Sequence, residues 1–446
     1  MKNRTQILAR KTPYFIFKPK ILEKNFSGFK NSCEKCLGKG KYVIAYSIKT
    51  NSYNGVIEKL NELGSSFEVA SLDEIELTDK IRGNIDDIWH NEINEVKKKQ
   101  SSEVKLYKNQ RFDINNKNYN KLIVFNGPCK TKEELELVIK NINNNFLINV
   151  DSRSEINKIV SIINKLKGKS LGEVNIGLRV SLNESKFGFS VDSLEELENI
   201  IDYCKKINLN IICLSFHEGT QLSINKFENN INKIEEIVSK LKGKFKLDNL
   251  KYIDIGGGFP DNIQLKNLGV SLENYFKLIE KYARKFDLIV ILEPGRTLVS
   301  DAFELIAKVN VIKENFGKNY AILDVGINVL SKITLANYKF SKINDFDNSL
   351  FNKVGEENQT DQPSKVQTPK SIRLSAINIK NNYLKEKKEY ILTGPLLFRN
   401  DILGKFYGNL KEGDLIRIEN VGAYCYNLAW EISYKKPEVF NEYTIN

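Results

Sequence analysis

The stretch LNIICLSFHEGTQLSINKFENNINKIEEIVSKLKGKFKLDNLKYIDIGGGFP, residues 209–260, decides the fold. It opens on an apolar run, Ile211–Phe216, followed by a polar turn, His217–Gln221, and an amphipathic stretch, Lys226–Lys242. A second apolar run, Tyr252–Ile255, then ends in three consecutive glycines, Gly256–Gly258. Short apolar runs separated by helical periodicity read as strand–helix–strand units of a parallel sheet buried on both faces. Working outward, apolar runs recur upstream at Tyr42–Tyr46, Ser66–Val69, Leu122–Phe125, Phe146–Val150 and Val174–Val180, and downstream at Leu288–Leu292, with a further amphipathic stretch at Ser193–Lys206. Eight strands spaced by helices predict an α/β fold built on a (β/α)8 TIM barrel.

The flanks have a different texture. Residues 12–18 read as a strand and 20–37 as a helix, while beyond about residue 300 the chain turns β-rich at Phe303–Val311, Tyr320–Leu323, Tyr390–Leu392 and Asp414–Ile418. The expected domains are therefore a barrel over 38–299 and a C-terminal β-barrel or β-sandwich domain over 300–446, completed by residues 1–37. Two polar, poorly patterned stretches read as an insertion (82–121) and a mobile loop (343–370), because compact domains rarely need connections that long.

With 446 residues, two domains or one large barrel with an appendage are expected at roughly 100–200 residues per domain. A 41% hydrophobic fraction with 10% aromatics excludes wholesale disorder. Lys and Arg number 68 against 56 Asp and Glu, a formal charge of +12. The lysines are spread among Asn, Ile and Glu, with no basic arm and no RRM, KH or zinc-finger pattern, so no nucleic-acid partner is expected. The charge remains compatible with anionic small molecules. No apolar run reaches the ~18 residues of a membrane span, and the start, MKNRTQILARKTPYF, lacks a signal-peptide apolar region. A cytoplasmic location without membrane contact is the expectation. Cys33, Cys36, Cys129, Cys204, Cys213 and Cys425 are scattered too widely to form a disulfide framework.

In a barrel, chemistry sits at the C-terminal ends of the strands. The first strand ends in YSIKTN (46–51), which puts Lys49 at the mouth. The sixth ends in His217-Glu218-Gly219-Thr220-Gln221, and the chain has just 2 histidines. The seventh ends in Gly256–Gly258, whose backbone amides could hold a phosphate. The eighth ends in Glu293-Pro294-Gly295-Arg296, a carboxylate and a guanidinium on one rim. Taken singly, these residues read as a solvated lysine, a structural histidine and an ordinary turn. Taken together they supply an amine for an imine, a flat ring, a phosphate cradle and an acid, the parts that pyridoxal phosphate requires.

These motifs, in this order, resemble the fold-type III pyridoxal-phosphate decarboxylases, the ornithine/diaminopimelate decarboxylase family with an alanine-racemase-like barrel and a β domain. The match runs from about Thr12 to Tyr426. The resemblance implies pyridoxal 5'-phosphate as cofactor, with no metal. It implies that Lys49 forms the imine, that His217 stacks on the pyridine face and that Glu293 pairs with the pyridine nitrogen. Gly256, Gly257, Gly258, Gly295 and Arg296 match the phosphate-binding elements, with Tyr424 of Gly422-Ala423-Tyr424 completing the cradle. Arg179 and Glu68 match positions near the cofactor, Glu68 standing where an Asp is usual. Thr220 stands beside the phosphate where a Ser is commoner. Relatives build their sites from both subunits, so a homodimer with shared active sites is implied.

The sequence departs from the family pattern at Gly394-Pro395-Leu396-Leu397-Phe398-Arg399-Asn400-Asp401. Relatives place there a cysteine that helps protonate the product, then an acid that binds the distal amine of ornithine or diaminopimelate. Leu397 and Phe398 can do neither. The resemblance makes Asp324, Lys332, Arg399 and Asp401 the substrate-binding positions, and Lys332 falls where diaminopimelate enzymes carry a carboxylate-binding Arg. Losing an acid while keeping cations suits an anionic conjugate as substrate. The expectation is α-decarboxylation of N-citryl-ornithine to N-citryl-putrescine, as in the polycarboxylate-siderophore branch of the family. The alternatives are a decarboxylase of free ornithine, lysine or diaminopimelate, a racemase on the same fold, and a pyridoxal-phosphate-binding homologue with impaired turnover.

Overall fold

The computed structural model describes residues 10–82, 97, 121–141, 145–166, 174–191, 194–207, 209–245, 247–331, 336–343 and 387–445. The bulk of the expected insertion, the expected mobile loop beyond residue 343, and Lys332 lie outside the described residues.

After a first strand, β1 (Tyr14–Phe17), come the barrel strands: β2 (Tyr42–Ser47), β3 (Ser66–Val69), β4 (Ile123–Phe125), β5 (Phe146–Val150) and β6 (Asn175–Ser181). A two-residue β7 (Phe189–Ser190) pairs with β6, and β8 (Asn210–Ser215), β9 (Tyr252–Asp254) and β10 (Ile289–Leu292) follow. Strand order runs β5-β4-β3-β2-β10-β9-β8-β6, and β5 pairs with β6, so eight parallel strands close into a barrel. The expected (β/α)8 architecture is present, with strand ends within a residue or so of the expected positions.

The helices form for the expected reason. In Leu272–Phe286 the buried residues Tyr275, Phe276, Ile279, Tyr282 and Ala283 recur at helical spacing, so one face is apolar. Helix Lys132–Lys140 starts on a capping box in which Thr131 and Glu134 satisfy each other's backbone amides.

The chain divides into a barrel unit, residues 17–303 and 420–428, and a sheet unit, residues 1–16, 304–419 and 429–446. This corrects the expected boundaries in two places. Helix Pro19–Leu37, expected in the β domain, belongs to the barrel: its Phe29 ring packs edge-on against Phe259 at 5.2 Å and Phe276 at 5.1 Å. Residues 420–428 also return to the barrel unit, because their backbone is hydrogen-bonded to Thr50, Asn51 and Ser300.

The sheet unit contains β11 (Phe303–Asn315), β12 (Lys318–Leu323), β13 (Lys339–Lys342), β14 (Lys388–Thr393), β15 (Ile402–Gly408), β16 (Leu415–Glu419) and β17 (Glu438–Asn441). Their order is β13-β16-β11-β12-β14-β15, with β1 joining β11 and β17. The N-terminal strand thus completes the C-terminal sheet, and Tyr14, Ile16 and Ile306 form a buried cluster there. No helix among the described residues is long and apolar enough to cross a membrane.

Candidate active site

Strand periodicity builds the site. Ala45, Val124, Leu147, Cys213 and Ile291, from β2, β4, β5, β8 and β10, form one buried apolar cluster. Side chains two residues apart along a strand share a face. Two residues further toward each C-terminal end stand Ser47, Asn126, Asn149, Ser215 and Glu293, all polar and all buried. An apolar layer is therefore overlaid by a polar one at the mouth of the barrel.

That polar layer is a continuous hydrogen-bond network. Asn126 Nδ2 donates to Glu293 at 2.6 Å and to Glu68 at 3.1 Å, and Asn149 Nδ2 donates to Asn126 and to Asp254, each at 2.9 Å. Ser215 Oγ and the Gly256 amide also donate to Asp254, at 3.1 and 2.9 Å. Ser47 Oγ donates to Glu68 at 2.5 Å. Lys49 Nζ meets both Glu68 oxygens, at 2.7 and 2.9 Å.

These carboxyls are shifted in opposite directions. Burial alone would raise the Glu68 pKa, but the Lys49 ammonium and the hydrogen bonds from Lys49, Ser47 and Asn126 hold it below the usual value. Burial likewise opposes the Lys49 charge, yet the Glu68 and Glu293 carboxylates outweigh it and raise the ammonium's pKa. Glu293 is pushed far up by burial and by the neighbouring Asp254 and Glu68 anions. Asp254, hydrogen-bonded to Glu293, is pushed up to about 6, chiefly by burial. Glu293 thus sits where a ligand cation would reverse its shift, as a protonated pyridine would.

His217 lies over the glycine turn. Its Nδ1 accepts from the Gly257 amide at 3.2 Å, which leaves the ring proton on Nε2. A Cβ at Gly256 would come within 2.6 Å of that Nδ1, and Gly256 has φ +67°, so only glycine fits beneath the ring. Burial, then the nearby Lys49 charge, lowers the His217 pKa to about 4, leaving a flat neutral imidazole at physiological pH. With His90 replaced by Gln, the remaining imidazole is expected to titrate near pH 4 by NMR in cofactor-free protein. A midpoint near the ordinary ~6.5 would contradict this environment.

Beside the turn is a site for an oxyanion. Arg296 is 4% exposed, and its Nε, Nη1 and Nη2 find no hydrogen-bond partner among the described residues. Its guanidinium lies 5.2 Å from the Tyr424 ring centroid. A buried, unpaired guanidinium is costly, and a phosphate is the natural complement. Gly295 packs so closely on Thr50 that a Cβ there would lie 2.1 Å from Oγ1. Tyr424 holds φ +69° while its amide donates to the Thr50 carbonyl at 2.7 Å. The residues present therefore fit pyridoxal phosphate at three points: amine, ring nitrogen and phosphate.

The remaining expected residues are placed as follows. Arg179 belongs to the barrel unit, 3.6 Å from Asp151 and with its guanidinium 4.3 Å from the Phe187 ring centroid. Thr220 is exposed, between Gly219 (φ +125°) and Gln221 (φ +51°). Asp324, Arg399 and Asp401 belong to the sheet unit. Asp324 accepts from Thr12 Oγ1 at 2.5 Å and the Lys308 amide at 2.8 Å, and Asp401 accepts from the Ile327 and Leu396 amides, each at 2.8 Å. Both carboxylates therefore accept two hydrogen bonds each from their own unit. Arg399 is exposed. Sequence reasoning missed Ser47, Asn126, Asn149 and Asp254. Counting two residues on from each apolar strand residue would have found the first three.

Comparison with known proteins agrees with this chemistry. The family described as pyridoxal-dependent decarboxylase, pyridoxal binding domain, matches residues 23–122 and 101–300, well over half the chain. Diaminopimelate decarboxylase of Vibrio cholerae is 24% identical over 439 residues, covering 94% of this chain and 84% of that protein. Among solved structures, diaminopimelate decarboxylase from Helicobacter pylori complexed with L-lysine superposes with a TM-score of 0.71 at 22% identity, covering 98% of this chain and 93% of that one. Lysine/ornithine decarboxylase from Vibrio vulnificus complexed with putrescine gives 0.69 at 20% identity, covering 98% and 96%. The family match and the near full-length relatives converge with the barrel mouth on one conclusion: this chain belongs to the pyridoxal-dependent decarboxylases and is an amino-acid carboxy-lyase that uses pyridoxal 5'-phosphate.

Proposed function

We propose that the chain decarboxylates an amino acid whose distal amine is already acylated, with N-citryl-ornithine as the favoured substrate and N-citryl-putrescine, a siderophore building block, as product. The observation that carries this reading is the loop Gly394–Asp401. It presents Leu397 and Phe398 to solvent, while the nearby carboxylate, Asp401, is engaged by backbone amides. A free distal ammonium buried without a counter-charge would cost a few kcal/mol. The exposed Leu397, Phe398 and Trp430 also favour a homodimer, whose mass sedimentation would report.

In this reading Lys49 would be the residue that holds the cofactor, through its side-chain amine. Glu68 fixes the Lys49 amine and balances its charge. Glu293 keeps a proton at the ring nitrogen, and Asn126 and Asp254 keep Glu293 in place. Arg296, Tyr424 and the Gly258 amide would hold the phosphate, since the Gly256 and Gly257 amides already donate to Asp254 and His217, and His217 would face the ring. When bound, pyridoxal phosphate supplies a sink for the electron pair left on the α-carbon as CO2 departs.

A second reading, decarboxylation of free diaminopimelate, lysine or ornithine, is favoured by the names of the relatives. CO2 release by the purified, cofactor-loaded protein separates the two. The proposal expects kcat/KM for N-citryl-ornithine to exceed that for each free diamino acid by roughly 100-fold, the discrimination a desolvated, unpaired charge supplies. A free diamino acid turning over as well or better would overturn it.

A further inference from the structure

We infer that Asn427 is a positioning residue for Lys49, an inference that rests on Lys49 being the cofactor-bearing lysine. Lys49 stands on a single 3-10 turn, Ile48–Thr50, just past the end of β2. Carbonyls at the end of so short a turn have no regular ladder to enter, so something else must satisfy them. Asn427, in the short helix Cys425–Leu428, does so with one side chain. Its Nδ2 donates to the carbonyls of Ile48 at 3.3 Å and Lys49 at 3.2 Å, while its Oδ1 accepts from the Ser52 amide at 2.8 Å and Ser52 Oγ at 2.9 Å.

Both ends of the amide are used, on either side of the residue whose amine does the chemistry. The same segment is anchored twice more, by the Tyr424 amide on the Thr50 carbonyl and by Asn51 Nδ2 on the Gly422 carbonyl at 2.8 Å. Tyr424 lies beside Arg296, the guanidinium assigned to the phosphate, and Asn427 is on the Lys49 backbone. The segment 420–428 therefore couples the register of the two. A backbone shift of about 1 Å under a reacting group can cost roughly 100-fold in rate. Asn427 touches backbone and Ser52, not the reacting atoms, so its effect is on the placement of the Lys49 amine.

The test uses cofactor-loaded protein and reads the pH midpoint of the visible imine band together with kcat, KM and cofactor affinity. Asn427→Ala removes every contact. Asn427→Asp keeps the acceptor for Ser52 but loses the donor to the two carbonyls. Both are expected to shift the band's midpoint by about one pH unit and lower kcat roughly 10- to 100-fold, with KM and cofactor affinity changing less than about threefold. Asn427→Gln, which keeps both amide functions, is expected to recover part of the loss. Wild-type midpoint and kcat in either folded variant, even with a lower melting temperature, would reduce Asn427 to a structural role and overturn the inference. Absence of the band from the wild-type protein would instead overturn the reading of Lys49, and this inference with it.

Discussion

Replacing Lys49 by alanine is expected to remove the visible imine band and to lower turnover by roughly 1,000-fold or more, about 4 kcal/mol of transition-state stabilisation. The size of the effect follows from the position. Lys49 is the amine held bidentately by Glu68 at the mouth, with Glu293 close enough to perturb its charge. A buried lysine among the described residues, Lys130, cannot stand in. It is 1% exposed, and its ammonium is consumed by the Gly127 and Asn149 carbonyls at 2.7 and 2.8 Å and by Glu155 at 3.3 Å. Absorbance and CO2 release, measured on a variant shown to be folded by circular dichroism, check the result. A Lys49→Ala protein with both the band and wild-type turnover would refute the assignment.

The second large effect is expected at Arg296, and it has two opposite signs. In cofactor-free protein a buried guanidinium without a hydrogen-bond partner is an uncompensated charge. Arg296→Met keeps much of the volume and removes that charge, so the cofactor-free variant is expected to be more stable by about 1–3 kcal/mol. The same change removes the counter-charge of the phosphate, which is expected to weaken cofactor binding by roughly 30- to 1,000-fold, or about 2–4 kcal/mol. Inorganic phosphate should raise the melting temperature of the cofactor-free wild type by mass action and leave Arg296→Met unmoved. Thermal melts with and without phosphate, plus a cofactor titration, give all three numbers. A variant that melts lower than wild type and binds the cofactor with unchanged affinity would remove Arg296 from the cradle.

The barrel was legible because its strands are buried on both faces. Runs such as Phe146–Val150, every residue buried, stand out as apolar between polar turns. The sheet unit was less so. Its strand ILGKFYG (402–408) carries two glycines and buries only Leu403, its other positions being exposed or half-buried, and KFSK (339–342) and EVFN (438–441) are short and have no buried residue. Helix Pro19–Leu37 was recognisable as a helix, but amphipathicity shows that a face is buried, not which neighbour buries it.

The site divides along similar lines. Lys49, His217, Gly256–Gly258, Glu293 and Arg296 were legible because each ends a strand in a motif of distinctive chemistry. Asp324 and Asp401 were expected as substrate ligands, and the hydrogen bonds each accepts were not legible; one Asp401 oxygen takes the amide of Ile327, 74 residues away in the chain. Asn427 lies 378 residues from Lys49 and carries no motif, so its role emerges only when the chain is folded.

The most direct test of the central claim is borohydride reduction of the cofactor-loaded protein, followed by proteolysis and mass spectrometry of the labelled peptide. A tethered imine at position 49 predicts one reduced pyridoxyl group, on the peptide containing Tyr46–Asn51 and located at Lys49. A label on Lys130 or any other lysine, or no label on a protein that binds the cofactor, would contradict it.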